Sequence, residues 1–214
     1  RKTFPKGISL GDVLRSSDEA GPSPIAARLD GKLVDLNTVL DSDATIEGVR
    51  TDSAQGLEIL RHSASHIMAQ AVKALFPDAR VAIGPAIENG FYYDFDVQKP
   101  FSDDDLARIE AKMAEIISQN LAFCREEIPR EEAIARFEKA GETYKVEILE
   151  ALADARVSLY QQGDFIDLCR GPHIPETGHL KAFKLTSVAG AYWRGDERNR
   201  MLQRIYGTAF GDTE

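Results

Sequence analysis

Only two cysteines, Cys124 and Cys169, occur in 214 residues. That is too few for a disulfide scaffold and predicts reduced thiols in a cytosolic protein. No apolar run approaches the roughly 18 residues that a membrane helix needs. No charged-then-apolar leader opens the chain, so neither a membrane protein nor a secreted one is expected. An excess of positive charge is missing too: 26 Lys and Arg stand against 35 Asp and Glu, for a net charge of −9. A general nucleic-acid coat would be basic, and is excluded. Repeats and low-complexity segments are absent. What remains is ordinary: 43% hydrophobic and 29% charged residues, the composition of a globular chain long enough to bury a core.

One stretch departs from the acidic balance. Between Leu180 and Tyr206, Lys181, Lys184, Arg194, Arg198, Arg200 and Arg204 face only Asp196 and Glu197. A solvated face and a phosphate-contacting surface account for this stretch equally well.

The pattern divides near residue 55. Ser9 is a helix cap before a short amphipathic helix over 8–14. Residues 25–36 read as two strands around Asp30-Gly31, a two-residue hairpin signal, and a further strand is expected over 44–49. The chain begins at Arg1, so the first strand is expected to be incomplete. From Gly56, Leu60, Ala64, Ile67, Ala71 and Leu75 recur at helical spacing until Pro77. Strands are expected at 80–85 and 91–96, joined by a turn at Asn89-Gly90. Ser102 with Asp105 resembles a capping box, opening a helix carried by Leu106, Ile109, Met113, Ile116 and Ile117. A strand over 121–128 and a short helix after Pro129, closed by Gly141, follow. Beyond Arg156, VSLYQQGDFIDL and KAFKLTSVAGAYW read as paired strands. The fold class is α+β: a small sheet with one helix over 1–55, then a larger α+β domain over 56–214.

All four histidines fall in two places. His62 and His66 lie one turn apart on the long helix, nearly opposite its apolar stripe. They are expected to look into solvent or into a cleft rather than the core. His173 follows Cys169 by four residues in CRGPH, and His179 lies just beyond. Strand alternation turns Asp167 and Cys169 to the same face. His62, His66, Cys169 and His173 are four candidate metal ligands. The same groups equally suit polar catalysis on an ester or amide.

The segments GLEILRHSASHIMAQAVKALFPDA, IGPAIENGFYYDFD, SLYQQGDFIDLCRGPHIPETG and AFKLTSVAGAYWRGDERNRMLQRIYGTAF resemble the bacterial-type threonyl-tRNA synthetases over essentially the whole chain. The resemblance implies a small TGS domain of β-grasp fold followed by an editing domain of the type shared with alanyl-tRNA synthetases. The family's catalytic core is expected after Phe210. Its ATP site, threonine-selecting zinc and anticodon-binding domain are therefore expected outside this chain. RNRMLQRIYGTAF resembles the lead-in to that core, which argues against a freestanding editing protein.

The implied activity is hydrolysis of serine from mischarged tRNA(Thr). Serine lacks one methyl of threonine, and such a difference supports only about 10–200-fold discrimination in one pocket. A second, hydrolytic site supplies the rest. The resemblance assigns catalysis to His62, His66, Lys145, Cys169 and His173. It makes Asp167 the anchor for the substrate ammonium and Tyr93 a pocket aromatic; strand alternation turns only one of Tyr92 and Tyr93 inward. The basic stretch, with Lys181, Lys184, Arg194, Arg198 and Arg200, becomes the candidate tRNA surface. No cofactor is expected in this chain: a zinc ion held by all four donors would be closed, and Lys145 beside a divalent cation would be repelled. Zinc at His62, His66, Cys169 and His173 is the alternative, and a non-catalytic RNA-binding or regulatory module is a further rival. The partner implied is the serine-bearing acceptor end of tRNA(Thr). The parent enzyme is expected to be a cytoplasmic homodimer through its core, with this chain alone a monomer.

Overall fold

A computed structural model describes residues 2–17 and 23–211. It starts with a short helix α1 (Leu10–Arg15), where Ser9 Oγ accepts the Asp12 N–H as expected of a cap. Strands β1 (Ala26–Leu29), β2 (Lys32–Val34) and β3 (Ile46–Val49) follow, in the antiparallel order β2-β1-β3. The β1–β2 turn is Asp30-Gly31, both at positive φ (49° and 81°). That is the twist-matched two-residue turn the sequence signals. Residues 36–40 form no strand. Backbone bonds from Gly7 to Leu40 and from Leu10 to Thr38 lay the N-terminal segment along them instead. Leu10, Leu14, Ala27 and Leu36 make a small core of their own, whereas Ile25, Ala26 and Val49 join the main one.

The long helix α2 (Ala54–Leu75) begins two residues ahead of the expected Gly56 and is capped by Ser53. Gly56 is required there, because a Cβ would lie 1.8 Å from the Arg50 carbonyl oxygen. Strands β4 (Arg80–Val81), β5 (Ala86–Ile87) and β6 (Gly90–Asp96) come next, then helix α3 (Asp103–Ser118) behind the predicted Ser102–Asp105 capping box. Strand β7 (Cys124–Pro129), helix α4 (Arg130–Ala140), helix α5 (Thr143–Ala151), and strands β8 (Arg156–Gln162) and β9 (Phe165–Leu168) form a second unit. The chain finishes with β10 (Ala182–Tyr192) and β11 (Met201–Phe210).

Two further antiparallel sheets result. One has the order β10-β11-β6-β4 with β5 also on β6; the other is β7-β8-β9. Helix α2 packs its apolar stripe on the first sheet, and Leu60, Ile67, Met68, Phe91, Tyr93, Phe95 and Ile205 share the main core. The second sheet rests Val157 and Leu159 on α4 and α5 through Ala133, Phe137 and Leu149. No helix among the described residues is long and apolar enough to cross a membrane.

Three expectations are corrected. The strand over 80–85 shortens to Arg80–Val81, a second short pairing follows Gly84-Pro85 at Ala86–Ile87, and the β5–β6 turn is Glu88-Asn89 because Ile87 pairs with Gly90. Segments 157–168 and 181–193 do not pair with each other: β8 closes on β9, and β10 on β11. Residues 201–210 form a central strand between β10 and β6. Helix α5 was not expected. Gly141 in the left-handed conformation ends α4, and the chain re-enters a helix after a single intervening residue.

Candidate active site

The face of α2 opposite its stripe does not meet solvent. The second sheet and the turn after β9 cover it. Both His62 and His66 line a cavity, the cleft that was expected, although His66 is only 3% exposed. The cavity has a volume of about 770 Å³ and reaches His62, His66, Lys145, Asp167 and Cys169.

At its inner end sits a closed polar triad. Lys145 Nζ lies 2.5 Å from Asp167 Oδ1, with both side chains at most 4% exposed. Tyr93 donates its hydroxyl to Asp167 Oδ2 at 2.6 Å and accepts from Lys145 Nζ at 2.9 Å. The Lys145–Asp167 contact is an ion pair without the alignment of a hydrogen bond, so Oδ1 keeps acceptor capacity. His66 Nδ1 stands 3.3 Å from Asp167 Oδ2. Burial and the Asp167 charge hold the Tyr93 phenol well above its ordinary value. Tyr93 is the inward tyrosine. Tyr92 lies on the other face of β6, under the Arg204 guanidinium at 3.8 Å.

Beside the triad is the His/Cys cluster. Cys169 Sγ is 3.4 Å from His62 Nε2 and 3.2 Å from His173 Nε2. Ser63 fixes the His173 ring. Its one hydroxyl proton goes to the Ile59 carbonyl at 2.8 Å, leaving its oxygen to accept from Ile174 N–H at 3.1 Å and from His173 Nδ1 at 3.0 Å. His173 is thus protonated at Nδ1 and turns the Nε2 lone pair to Cys169. Phe123 stacks on the same ring and Tyr160 meets it edge-on. Burial depresses all three imidazoles, His62 to about 4 and His66 and His173 well below their ordinary value, so the cluster is neutral at pH 7. Burial pushes the Cys169 thiol up to about 12, against the Gly171 N–H that favours the thiolate.

The donor atoms of His62, His66, Cys169 and His173 lie within 4.8 Å of one another. Spacings near 3.3 Å suit four N and S ligands at about 2.0–2.3 Å around one zinc. These residues fit a metal ion. The repulsion expected from Lys145 is weaker than a free ammonium would give, because Asp167 neutralises it.

Two residues absent from the sequence reading complete the site. Asp35, just after β2, accepts the His173 backbone N–H at 3.0 Å and the Tyr160 hydroxyl at 2.6 Å. Ser63 is the other. No pattern in the sequence marks Asp35, since its partners are 125 and 138 positions away; Ser63 had only its place next to His62 as a signal. His179 takes no part and bonds its own turn.

The basic stretch is not at the cavity. Lys184 pairs with Glu110 at 2.7 Å, Arg198 with Asp196 at 2.6 Å, Arg200 with Asp96 at 3.1 Å and Arg204 with Asp94 at 2.7 Å. Arg194 lies over Trp193 and donates to the Glu147 carbonyl. Lys181 is exposed. None of these six lines the cavity.

Residues 157–206 match the family model described as "Threonyl and Alanyl tRNA synthetase second additional domain". The chain resembles the threonine–tRNA ligases. It is 58% identical over 214 residues to that of Citrifermentans bemidjiense, covering 99% of this chain and 34% of the relative. The threonine–tRNA ligase of Nitratidesulfovibrio vulgaris (strain Hildenborough) is 58% identical over 97% of this chain and 33% of its own length. That of Acidithiobacillus ferrooxidans is 59% identical over 95% and 32%. The chain therefore spans about a third of the length of the curated relatives it matches. The matched domain contains Asp167, Cys169 and His173; the cavity joins the first two to His62, His66 and Lys145 from outside it, and His173 meets Cys169 behind them.

Proposed function

We propose that the chain is the proofreading region of a cytoplasmic threonine–tRNA ligase and hydrolyses serine esterified to tRNA(Thr). Residues 1–55 are read as a TGS-type β-grasp unit and 56–214 as the editing unit. Aminoacylation, ATP and dimerisation are assigned to a core outside this chain. One observation carries the reading: the buried Asp167–Lys145–Tyr93 triad stands beside a neutral His/Cys cluster at the inner end of a cavity.

The serine ammonium binds Asp167, whose Oδ1 retains acceptor capacity. That charge-assisted contact fixes the amino acid. Water attacks the ester carbonyl, with His62 as its hydrogen-bond acceptor. An imidazole depressed to about 4 is neutral but a weak base, so its main work is orientation, and positioning alone is worth much of the barrier. Lys145 stabilises the developing oxyanion, and the water proton passes to the departing ribose oxygen. Cys169 is no nucleophile: a thiol pushed up to about 12 supplies almost no thiolate at pH 7. Threonine is rejected because its extra methyl must fit where the attacking water stands.

Hydrolysis is proposed to run without a metal, since an ion bound by all four side chains has no position left for water. The second reading is a zinc hydrolase, favoured by the spacing of those donors. His62, His66, Cys169 and His173 would then hold the ion, which supplies Lewis acidity. The test is deacylation of Ser-tRNA(Thr) with His62, His66, Asp167, Cys169 and His173 replaced one at a time. Asp167→Ala is expected to lose at least 100-fold, on the order of a misplaced substrate. Wild-type rates in that variant would end the ammonium-anchor role.

A further inference from the structure

The cavity has a mouth as well as a base. At that mouth the lining includes Arg125, Arg156 and Arg170, opposed by Glu127 and Asp154. The register explains the placement. Arg125 pairs with Tyr160, and Tyr160 with Asp167, across β7, β8 and β9. Cross-strand partners share a face, so one row leads from the buried carboxylate to an exposed arginine. Two strand spacings make that roughly 10 Å. Glu127 opposite Ser158 and Arg156 at the end of β8 continue the same face.

The three arginines are available. Arg170 is 86% exposed and its nearest acid, Asp154, is 3.8 Å away. Arg125 and Arg156 are 41% and 55% exposed and share one carboxylate, Glu127. The lining outside the Lys145–Asp167 pair thus holds three cations and two acids, in a chain whose net charge is −9. In the Lys181–Arg204 stretch, by contrast, Lys184, Arg198, Arg200 and Arg204 each have a carboxylate of their own, Glu110, Asp196, Asp96 and Asp94, within 3.1 Å.

We propose that Arg125, Arg156 and Arg170 form a phosphate clamp for the single-stranded 3′ end of the RNA. They would hold the phosphodiesters next to the nucleoside whose ester reaches Asp167. The inference rests on the proposed deacylation for its choice of ligand. Guanidinium forks match phosphate oxygens bidentately.

The test uses the full chain and an uncharged, fluorescently labelled acceptor-arm RNA with a single-stranded 3′ end. Binding is measured by anisotropy from low to moderate salt. Each phosphate contact on a single strand contributes about 0.7 to the slope of log affinity against log salt. The triple variant Arg125→Gln, Arg156→Gln, Arg170→Gln is expected to flatten the slope by about 2 and weaken binding at least about tenfold. The Arg→Lys triple variant keeps the charge and retains the slope, which separates lost charge from damaged fold. The triple variant Lys184→Gln, Arg198→Gln, Arg200→Gln is expected to change the slope by less than about 0.7. Unchanged slope and affinity in the rim Gln variant, equal loss in the rim Lys variant, or a larger loss in the distant variant would each overturn the clamp. Binding needs no hydrolysis. A wild-type chain that binds RNA through the rim yet fails to deacylate Ser-tRNA(Thr) would therefore overturn the deacylase reading and leave the clamp in place.

Discussion

Asp35→Ala tests whether the small N-terminal sheet helps to build the site. The Asp35 carboxylate accepts the His173 N–H at 3.0 Å and the Tyr160 hydroxyl at 2.6 Å. Hydrogen bonds to a charged group are worth about 1.5–3 kcal/mol each, and a part-buried donor left unpaired adds its desolvation cost. The two bonds share one carboxylate and are not additive, so the expected loss is about 3 kcal/mol. For a chain of this size 1 kcal/mol moves the midpoint by about 2–4 °C, and thermal unfolding should shift down by about 6–12 °C. Tyr160 also braces the turn after β9: its hydroxyl stands 1.8 Å from where a Gly171 Cβ would be. With Asp35 gone, that turn and the His173 ring gain freedom. A displacement of 1 Å can cost about 100-fold in rate, so deacylation of Ser-tRNA(Thr) should fall by one to two orders of magnitude even at temperatures where the variant is folded. Asp35→Asn keeps one acceptor oxygen and should fall between the two. Wild-type midpoint and wild-type rate in Asp35→Ala would refute the coupling.

Ser63→Ala removes the acceptor that fixes the His173 tautomer; deacylation is expected to drop at least about tenfold with a midpoint change of only about 1–2 kcal/mol, and nitrogen NMR of the imidazole should show mixed tautomers in place of one. Gly84→Ala puts a Cβ 2.0 Å from the Tyr93 ring; the ring must leave Asp167, so both activity and stability should fall, and an active, stable variant would show that Tyr93 is dispensable. Acid should unfold the metal-free chain early. His62, His66 and His173 are depressed in the folded state, so the unfolded chain binds more protons below its histidine pKa of about 6.5. Stability is full above that value and declines as pH falls toward 4, by up to about 1.4 kcal/mol per pH unit for each histidine. Denaturant midpoints between pH 6.5 and 5, where carboxylates are still ionised, check this; a flat profile would contradict the buried neutral cluster. Elemental analysis of protein purified without chelator, with activity before and after chelation, is expected to find deacylation that survives metal removal; stoichiometric zinc with activity lost to chelator and restored by zinc would select the metal-bound reading.

Local signals carried much of the fold into the sequence. The Asp30-Gly31 turn, the Ser9 and Ser102 caps, the Gly141 stop and the Leu60–Leu75 stripe are each short-range chemistry, and each stands where expected. Pairing was not legible, because partners are chosen by distant strands. Nothing in 201–210 shows that this segment is central and lies against β6, more than 100 positions earlier. The site followed the same division. The His62–His66 spacing and the Asp167–Cys169 alternation were visible as local geometry, and Lys145 and Tyr93 were named only through resemblance. That His66 is buried was not legible from one helix, since the sheet that covers it is built from 124–168. Asp35 was invisible for the same reason.

The most direct measurement of the central claim is the initial deacylation rate of the chain on Ser-tRNA(Thr) and on Thr-tRNA(Thr), side by side at neutral pH. The account predicts that the serine ester is hydrolysed well above its spontaneous rate and that the threonine ester is spared, with a ratio of at least the roughly 10–200-fold that one methyl group supports. Equal rates on the two esters, or no acceleration of either, would contradict it.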